Sequence, residues 1–192
     1  MKKIVLASNN NHKIKEFKEI LTNYEILSLK DIGFEEEIEE NGNTFEESAK
    51  IKVDAIFSFL KKKKEEMIVI ADDSGLCCNA LDGKPGIHSA RYAGDHNNQA
   101  NRDKLRKDLE GKDKTAYFIC CIALKKSEEE VEFFKGTTSG KIIEEEKGDK
   151  SFGYDCIFLS DDLGKTFGEA TEEEKNSVSH RKRAIEQLKK AL

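Results

Sequence analysis

Residues 67–76, MIVIADDSGL, narrow the fold more than any other stretch. The five leading apolar residues are too few for a helix and rich in β-branched types, the pattern of a fully buried strand. The run then meets Asp72 and Asp73, followed by Ser74 and Gly75, so the strand is expected to stop in a turn. Ligands of open α/β sheets gather at the carboxyl ends of strands, which lets an acidic pair placed there face a crevice. Adjacent carboxylates resist ionising together, and a hard cation such as Mg2+ removes that conflict, taking one or two carboxylates plus waters and substrate phosphates. A solvated acidic turn accounts for the same residues.

Residues 3–7, KIVLA, form another short apolar run and lead into Ser8, Asn9, Asn10, Asn11, His12 and Lys13. Beyond them Ile14, Phe17 and Leu21 recur at helical spacing, which puts the polar cluster at a strand-to-helix junction. A helix cap needs only one Asn or Ser, and this cluster exceeds that need. The free N–H groups and positive dipole end of such a junction suit phosphate.

Phe45, Ala49, Val53, Ile56 and Leu60 form one apolar stripe and predict a second helix. Thr44 and Glu47 match a capping box, so Glu47 is either a cap or a site residue. The acidic segment 35–40 reads as a solvated face. Residues 76–94 hold the only proline, Pro85, with Gly83, Gly86 and Gly94, a dense loop that carries His88, Ser89 and Arg91. Residues 98–110 read as a polar helix stopped by Gly111. Residues 115–124 and 131–134 read as a hairpin of strands. GTTSGK (136–141) and GKT (164–166) are fragments of a phosphate-binding P-loop that neither completes. Near the C-terminus, FGYD (152–155) precedes an apolar strand, TEEEK (171–175) is a short capped turn, and Ser179 is expected to cap a last helix. That helix opens with His180, Arg181, Lys182 and Arg183, cations that oppose the helix dipole and so point to another use for one or two of them.

A chain of 192 residues fits one domain, or one with a small lobe. Its net charge of −5 disfavours nucleic acid as a partner, and no apolar run is long enough for a membrane span. No signal peptide is evident, and a cytoplasmic enzyme is expected. The five cysteines lack metal-ligand spacing, so buried, reduced thiols are expected. The residues alone therefore describe a single α/β unit with an antiparallel insertion, bearing carboxylates for a cation, a polar helix start for phosphate, and aromatic and charged groups for a planar heterocycle.

Six segments in order, SNNNHK (8–13), TFEESAKIK (44–52), ADDSGL (71–76), PGIHSARYAG (85–94), FGYD (152–155) and EEKNSVSHR (173–181), resemble those of the Ham1/RdgB-type inosine triphosphate pyrophosphatases. The resemblance implies an elongated mixed β-sheet with flanking helices and an antiparallel insertion lobe, an ITPase-like domain over 1–192 with its active-site cleft between two lobes. It implies Mg2+-dependent hydrolysis of a purine nucleoside triphosphate (ITP, dITP or XTP) to the monophosphate and pyrophosphate, by a homodimer. Ser8, Asn9, Asn10, Asn11, His12 and Lys13 would bind the substrate, with Lys52 a further candidate. Glu47, Asp72 and Asp73 would position metal, Asp73 would activate water, and Ser74 would contact substrate. Phe152, Gly153, Tyr154, Asp155, Lys175, His180 and Arg181 would read or enclose the base, with Ser89 and Arg91 as lesser assignments. Cys156 stands where Pro is common in that family, and Asn9 where Gly is frequent. Two rivals are a Maf-type pyrophosphatase, disfavoured by the His180–Arg181 block, and a noncatalytic nucleotide sensor, disfavoured by the intact carboxylates.

Overall fold

The opening apolar run becomes β1 (Lys2–Leu6), and its partners follow from the same strand chemistry. A computed structural model describes residues 1–65, 67–149 and 152–192. After β1 come α1 (Asn11–Ile20), β2 (Tyr24–Leu27), α2 (Phe45–Lys62), β3 (Ile68–Cys78), α3 (Asn98–Asp108), β4 (Thr115–Lys125), β5 (Val131–Ile142), β6 (Phe158–Ser160), α4 (Glu172–Val178) and α5 (His180–Leu188). The strands form a six-stranded sheet in the order β2-β1-β3-β4-β5-β6. β1 runs parallel to β2 and β3, whereas β5 and β6 are antiparallel, so this α/β sheet is mixed.

The chain divides into two compact units, Met1–Asp73 with Cys120–Gly136 and Lys182–Leu192, and Ser74–Ile119 with Thr137–Arg181. In the first unit the alternation of side chains along β1 builds two layers of core. Ile4 and Leu6 pack with Phe17 and Leu21 and with Ile185 and Leu188 of α5. Val5 packs with Val69 and Ala71 and with the α2 stripe Ala49, Val53, Ile56 and Leu60. Burying four such α2 side chains removes enough apolar surface to contribute about 1.5 to 3 kcal/mol for each large one, which fixes the helix face. The core of the second unit is aromatic: Phe118 meets Phe158 at 4.7 Å and lies parallel to Phe167 at 6.0 Å. Among the described residues no helix is long and apolar enough to cross a membrane. All five cysteines are buried and free.

Two expectations are corrected. β3 does not stop at the acidic pair but continues to Cys78, so Asp72, Asp73, Ser74 and Gly75 are strand residues and not a turn. Only its apolar pattern is broken, because the β1–β3 register ends at Leu6↔Ile70 while β3 goes on. β5 likewise runs to Ile142, and GTTSGK lies inside it as extended backbone with alternate residues buried. Gly75 is required by close approach: a Cβ there would sit 2.2 Å from the Gly86 carbonyl oxygen.

Candidate active site

The first group of candidate side chains lies within the first unit, at the end of β1. Ala7 N–H donates to the Ile70 carbonyl at 2.8 Å, and the chain then turns into α1 through the polar cluster. Asn10 is the helix cap: its side-chain oxygen accepts from the N–H groups of His12 at 3.0 Å and Lys13 at 3.2 Å. Ser8 Oγ accepts from Asn10 N–H at 3.1 Å, and Asn9 reaches away to accept from Lys30 N–H at 3.0 Å. Asn11 and His12 are exposed on the first turn. A depression of about 390 Å³ beside them is lined by Asn9, Asn11, Ser28, Lys30 and Phe34 among others.

Lys13 turns inward. Its Nζ lies 3.0 Å from Asp72 Oδ1, a carboxylate with no exposed side-chain surface, and Cys120 Sγ stands 3.9 Å from Asp72 Oδ2. Lys52, buried on α2, faces Asp73 Oδ1 at 3.3 Å and Glu40 Oε2 at 3.0 Å, and donates to the Asp72 carbonyl at 3.3 Å. Two lysines thus face three acids, and one negative charge is left over. Burial pushes the Asp73 carboxyl above the ordinary value of 3.8; Lys52 and Lys13 hold it back, and Asp72 and Glu40 add to the rise. For Lys52, burial opposes the charge, but Asp73, Glu40 and Asp72 outweigh it and hold the ammonium above 10.5. A carboxylate poised above its usual range is a better proton acceptor near neutrality.

Glu40 is the residue that sequence reasoning missed, since the run 35–40 reads as solvated surface. Glu47 is exposed, and its Oε2 accepts from Asn43 N–H at 2.7 Å. Thr44 Oγ1 accepts from Glu47 N–H at 3.1 Å, so the pair caps α2 with the return bond displaced by one residue from the expected capping box. Among the described residues no three His, Cys, Asp or Glu converge as a ready metal cage.

The second group lies within the second unit. Phe152 is 54% exposed and opens a turn closed by Asp155 N–H donating to the Phe152 carbonyl at 3.2 Å. Gly153 takes φ +55°, which glycine adopts without cost. Tyr154 is buried and donates its hydroxyl to the Ser89 carbonyl at 2.7 Å, which ties the turn to the loop that carries Ser89. Asp155 is buried with Oδ2 2.5 Å from Lys175 Nζ. His180 is buried and stacks on Phe118 at 5.1 Å, and Arg181 Nη2 donates to Ser74 Oγ at 3.4 Å. Ser89 works within the fold, accepting from Leu76 N–H at 2.9 Å and donating to the Gly86 carbonyl at 2.6 Å. Arg91 is exposed. The TEEEK segment is a full capping box, with Thr171 and Glu174 exchanging bonds and α4 carrying Lys175 toward Asp155.

The comparisons agree with one another. The model of the Ham1 family matches residues 4–191. A dITP/XTP pyrophosphatase of Bacillus subtilis (strain 168) is 46% identical over 198 residues, covering 100% of this chain and 98% of that protein. The Ham1 protein of Staphylococcus aureus has a solved structure with a TM-score of 0.88 and 42% identity, over 98% of this chain and 97% of that one. A HAM1 protein from Coxiella burnetii also gives a TM-score of 0.88, with 36% identity over 100% and 98%.

Proposed function

The chain belongs to the Ham1 family, and from that premise we propose that it is a nucleoside-triphosphate pyrophosphatase acting on the deaminated purine nucleotides ITP, dITP and XTP. The observation that carries this reading is the charged cluster at the end of β1, where Lys13 and Lys52 meet Asp72, Asp73 and Glu40 with one acid in excess. Two lysines and a capped helix start provide for phosphate, and a raised carboxylate provides for water.

Mg2+ fits the donor set, which is all oxygen and includes a buried carboxylate that requires a cation beside it. Asp72 and Asp73 would hold it, with Glu47 and the observed neighbour Glu40 as further candidates, and substrate phosphates and waters would complete the shell. When bound, the ion would supply charge neutralisation on the phosphates. The chain's own residues account for the rest. The side chains of Ser8, Asn10, Asn11 and His12 and the positive end of the α1 dipole orient the phosphates, and Lys13 and Lys52 turn from the acids to the incoming charge. Asp73 takes the proton from a water as its oxygen bonds to the α-phosphorus, the α–β bridging bond breaks, and pyrophosphate leaves. Phe152 stacks on the base, worth about 1 to 3 kcal/mol for any base. Choice comes from polar groups: Lys175 donates to the O6 acceptor of a 6-oxo purine, whereas the amino group of adenine leaves that donor facing another donor, at a cost of about 1 to 3 kcal/mol. Asp155 fixes Lys175, and His180, Arg181 and Ser74 enclose the nucleotide. A homodimer in the cytoplasm completes this reading.

The test is pyrophosphate release from ITP, dITP, XTP, GTP, ATP and UTP with and without Mg2+. Preferential turnover of the deaminated purines, abolished by Asp73→Asn with nucleotide binding retained, is the expected result. Equal turnover of ATP and ITP, turnover of neither, or an unchanged Asp73→Asn enzyme overturns it.

A further inference from the structure

Helix α3 carries a cation that the mechanism above does not use. Arg102 is buried, its side chain 4% exposed, and a buried guanidinium persists only when its donors are met. Nε donates to Glu146 Oε1 at 3.1 Å, Nη2 to Gln99 Oε1 at 2.9 Å, and Nη1 to the Gly153 carbonyl at 2.9 Å. Glu146 is also 3.3 Å from Arg106, so the acid that fixes the guanidinium is itself fixed from the next turn of α3. The rigid fork of arginine makes it suited to holding a carboxylate and a carbonyl at once, which a lysine ammonium does not reproduce.

The held carbonyl belongs to the turn that presents Phe152. Gly153 has the widest backbone freedom of any residue, and Cys156 directly after the turn imposes no limit on φ such as a proline would. The neighbouring ties bear on other atoms: Tyr154 through its hydroxyl and its carbonyl, which accepts from Ile157 and Phe158 N–H, and Asp155 through its side chain, its N–H and its carbonyl, which accepts from Gly168 N–H. A peptide unit is planar, so fixing the Gly153 carbonyl fixes the orientation of the whole Gly153–Tyr154 plane between the Phe152 ring and the Asp155 carboxylate.

We propose that Arg102 is a positioning residue for base recognition, acting through the Gly153 carbonyl to hold the Phe152–Asp155 turn in its base-reading form; this rests on the base-reading role given to that turn above. Removing it loosens the base end of the nucleotide and leaves the phosphate end alone.

Arg102→Met keeps the apolar stem and leaves Glu146 its contact with Arg106. For ITP, KM is expected to rise about tenfold, equivalent to about 1.4 kcal/mol, with kcat changed less than about threefold. The inhibition constant of inorganic tripolyphosphate, which has no base, stays unchanged. Equal weakening of tripolyphosphate, or an unchanged KM for ITP, overturns the proposal. Should Arg102→Met be insoluble, Arg102→Lys decides, with a smaller rise in KM expected and none refuting it. The chain has no tryptophan, so Phe152→Trp adds a single reporter to the turn. Arg102→Met in that background should lower the fluorescence anisotropy of the reporter, and an unchanged anisotropy also refutes the clamp. This last measurement needs no turnover: a wild-type enzyme inactive on ITP would count against the proposed function, whereas an active one indifferent to Arg102 counts against the clamp alone.

Discussion

Replacing Lys13 by methionine should destabilise the protein severely, and replacing Asp72 at the same time should restore most of the loss. The two groups are 3.0 Å apart, with Lys13 22% and Asp72 0% exposed at the side chain. At an effective dielectric of about 20, unit charges at that separation attract by roughly 5.5 kcal/mol, most of it offsetting the desolvation of Asp72. Taking away the lysine leaves a buried carboxylate short of its cation, a change that costs about 3 to 5 kcal/mol. The neighbouring Lys52 ammonium also feels the Asp72 charge, which places the cost near the lower end, about 3 kcal/mol. For a chain of this length that is a fall in Tm of about 6 to 12 °C. Asp72→Asn alone should cost only about 1 kcal/mol, because Lys13 is long and partly exposed and can turn to solvent. The double variant should also lie about 1 kcal/mol below wild type, giving a coupling near 3 kcal/mol between contacting charges. Urea unfolding of the four proteins at neutral pH, with m-values compared, measures the cycle. A Lys13→Met variant within 1 kcal/mol of wild type, or losses that simply add, would refute the view that the acids at the end of β1 depend on this lysine.

Three further outcomes are expected. Lys175→Ala should reduce the ratio of ITP to ATP turnover by about 5- to 150-fold, the size of one unmatched donor at about 1 to 3 kcal/mol, and an unaltered ratio assigns O6 recognition elsewhere. Partial burial of Asp54 opposes its charge, but Lys125 and Lys50 outweigh it and hold the carboxyl below 3.8. Its contribution to stability is therefore present above the unfolded value and lost as pH falls through the folded one, so the gap in urea midpoint between wild type and Asp54→Asn should close below pH 3.8; a constant gap argues against the ion pairs. Burial pushes the Cys78 and Cys121 thiols up to about 12, with Cys77 adding to the first and Glu46 to the second, so at pH 8 neither should react with a thiol reagent before unfolding.

The sequence by itself determined the strands and helices whose patterns are local. β1, the α2 stripe, a capped helix start within 8–13 and a capped segment at 171–175 are legible because a period of two or 3.6, or a cap and its near neighbours, involves residues a few positions apart. Ordered motifs named the family for the same reason. The extent of β3 and β5 was not legible, since the Asp pair in β3 and the glycines in both disfavour strands and only neighbouring strands in the sheet hold them extended. Tertiary structure also decided the partners of each charge. Glu40 stands beside Lys52 and Glu47 does not cap as the motif suggests; Arg102, a plain helix residue in sequence, reaches Gly153 fifty-one positions away. Coulomb and hydrogen-bond energies depend on distance in space, and nothing in the order of residues reports that distance until the chain has folded.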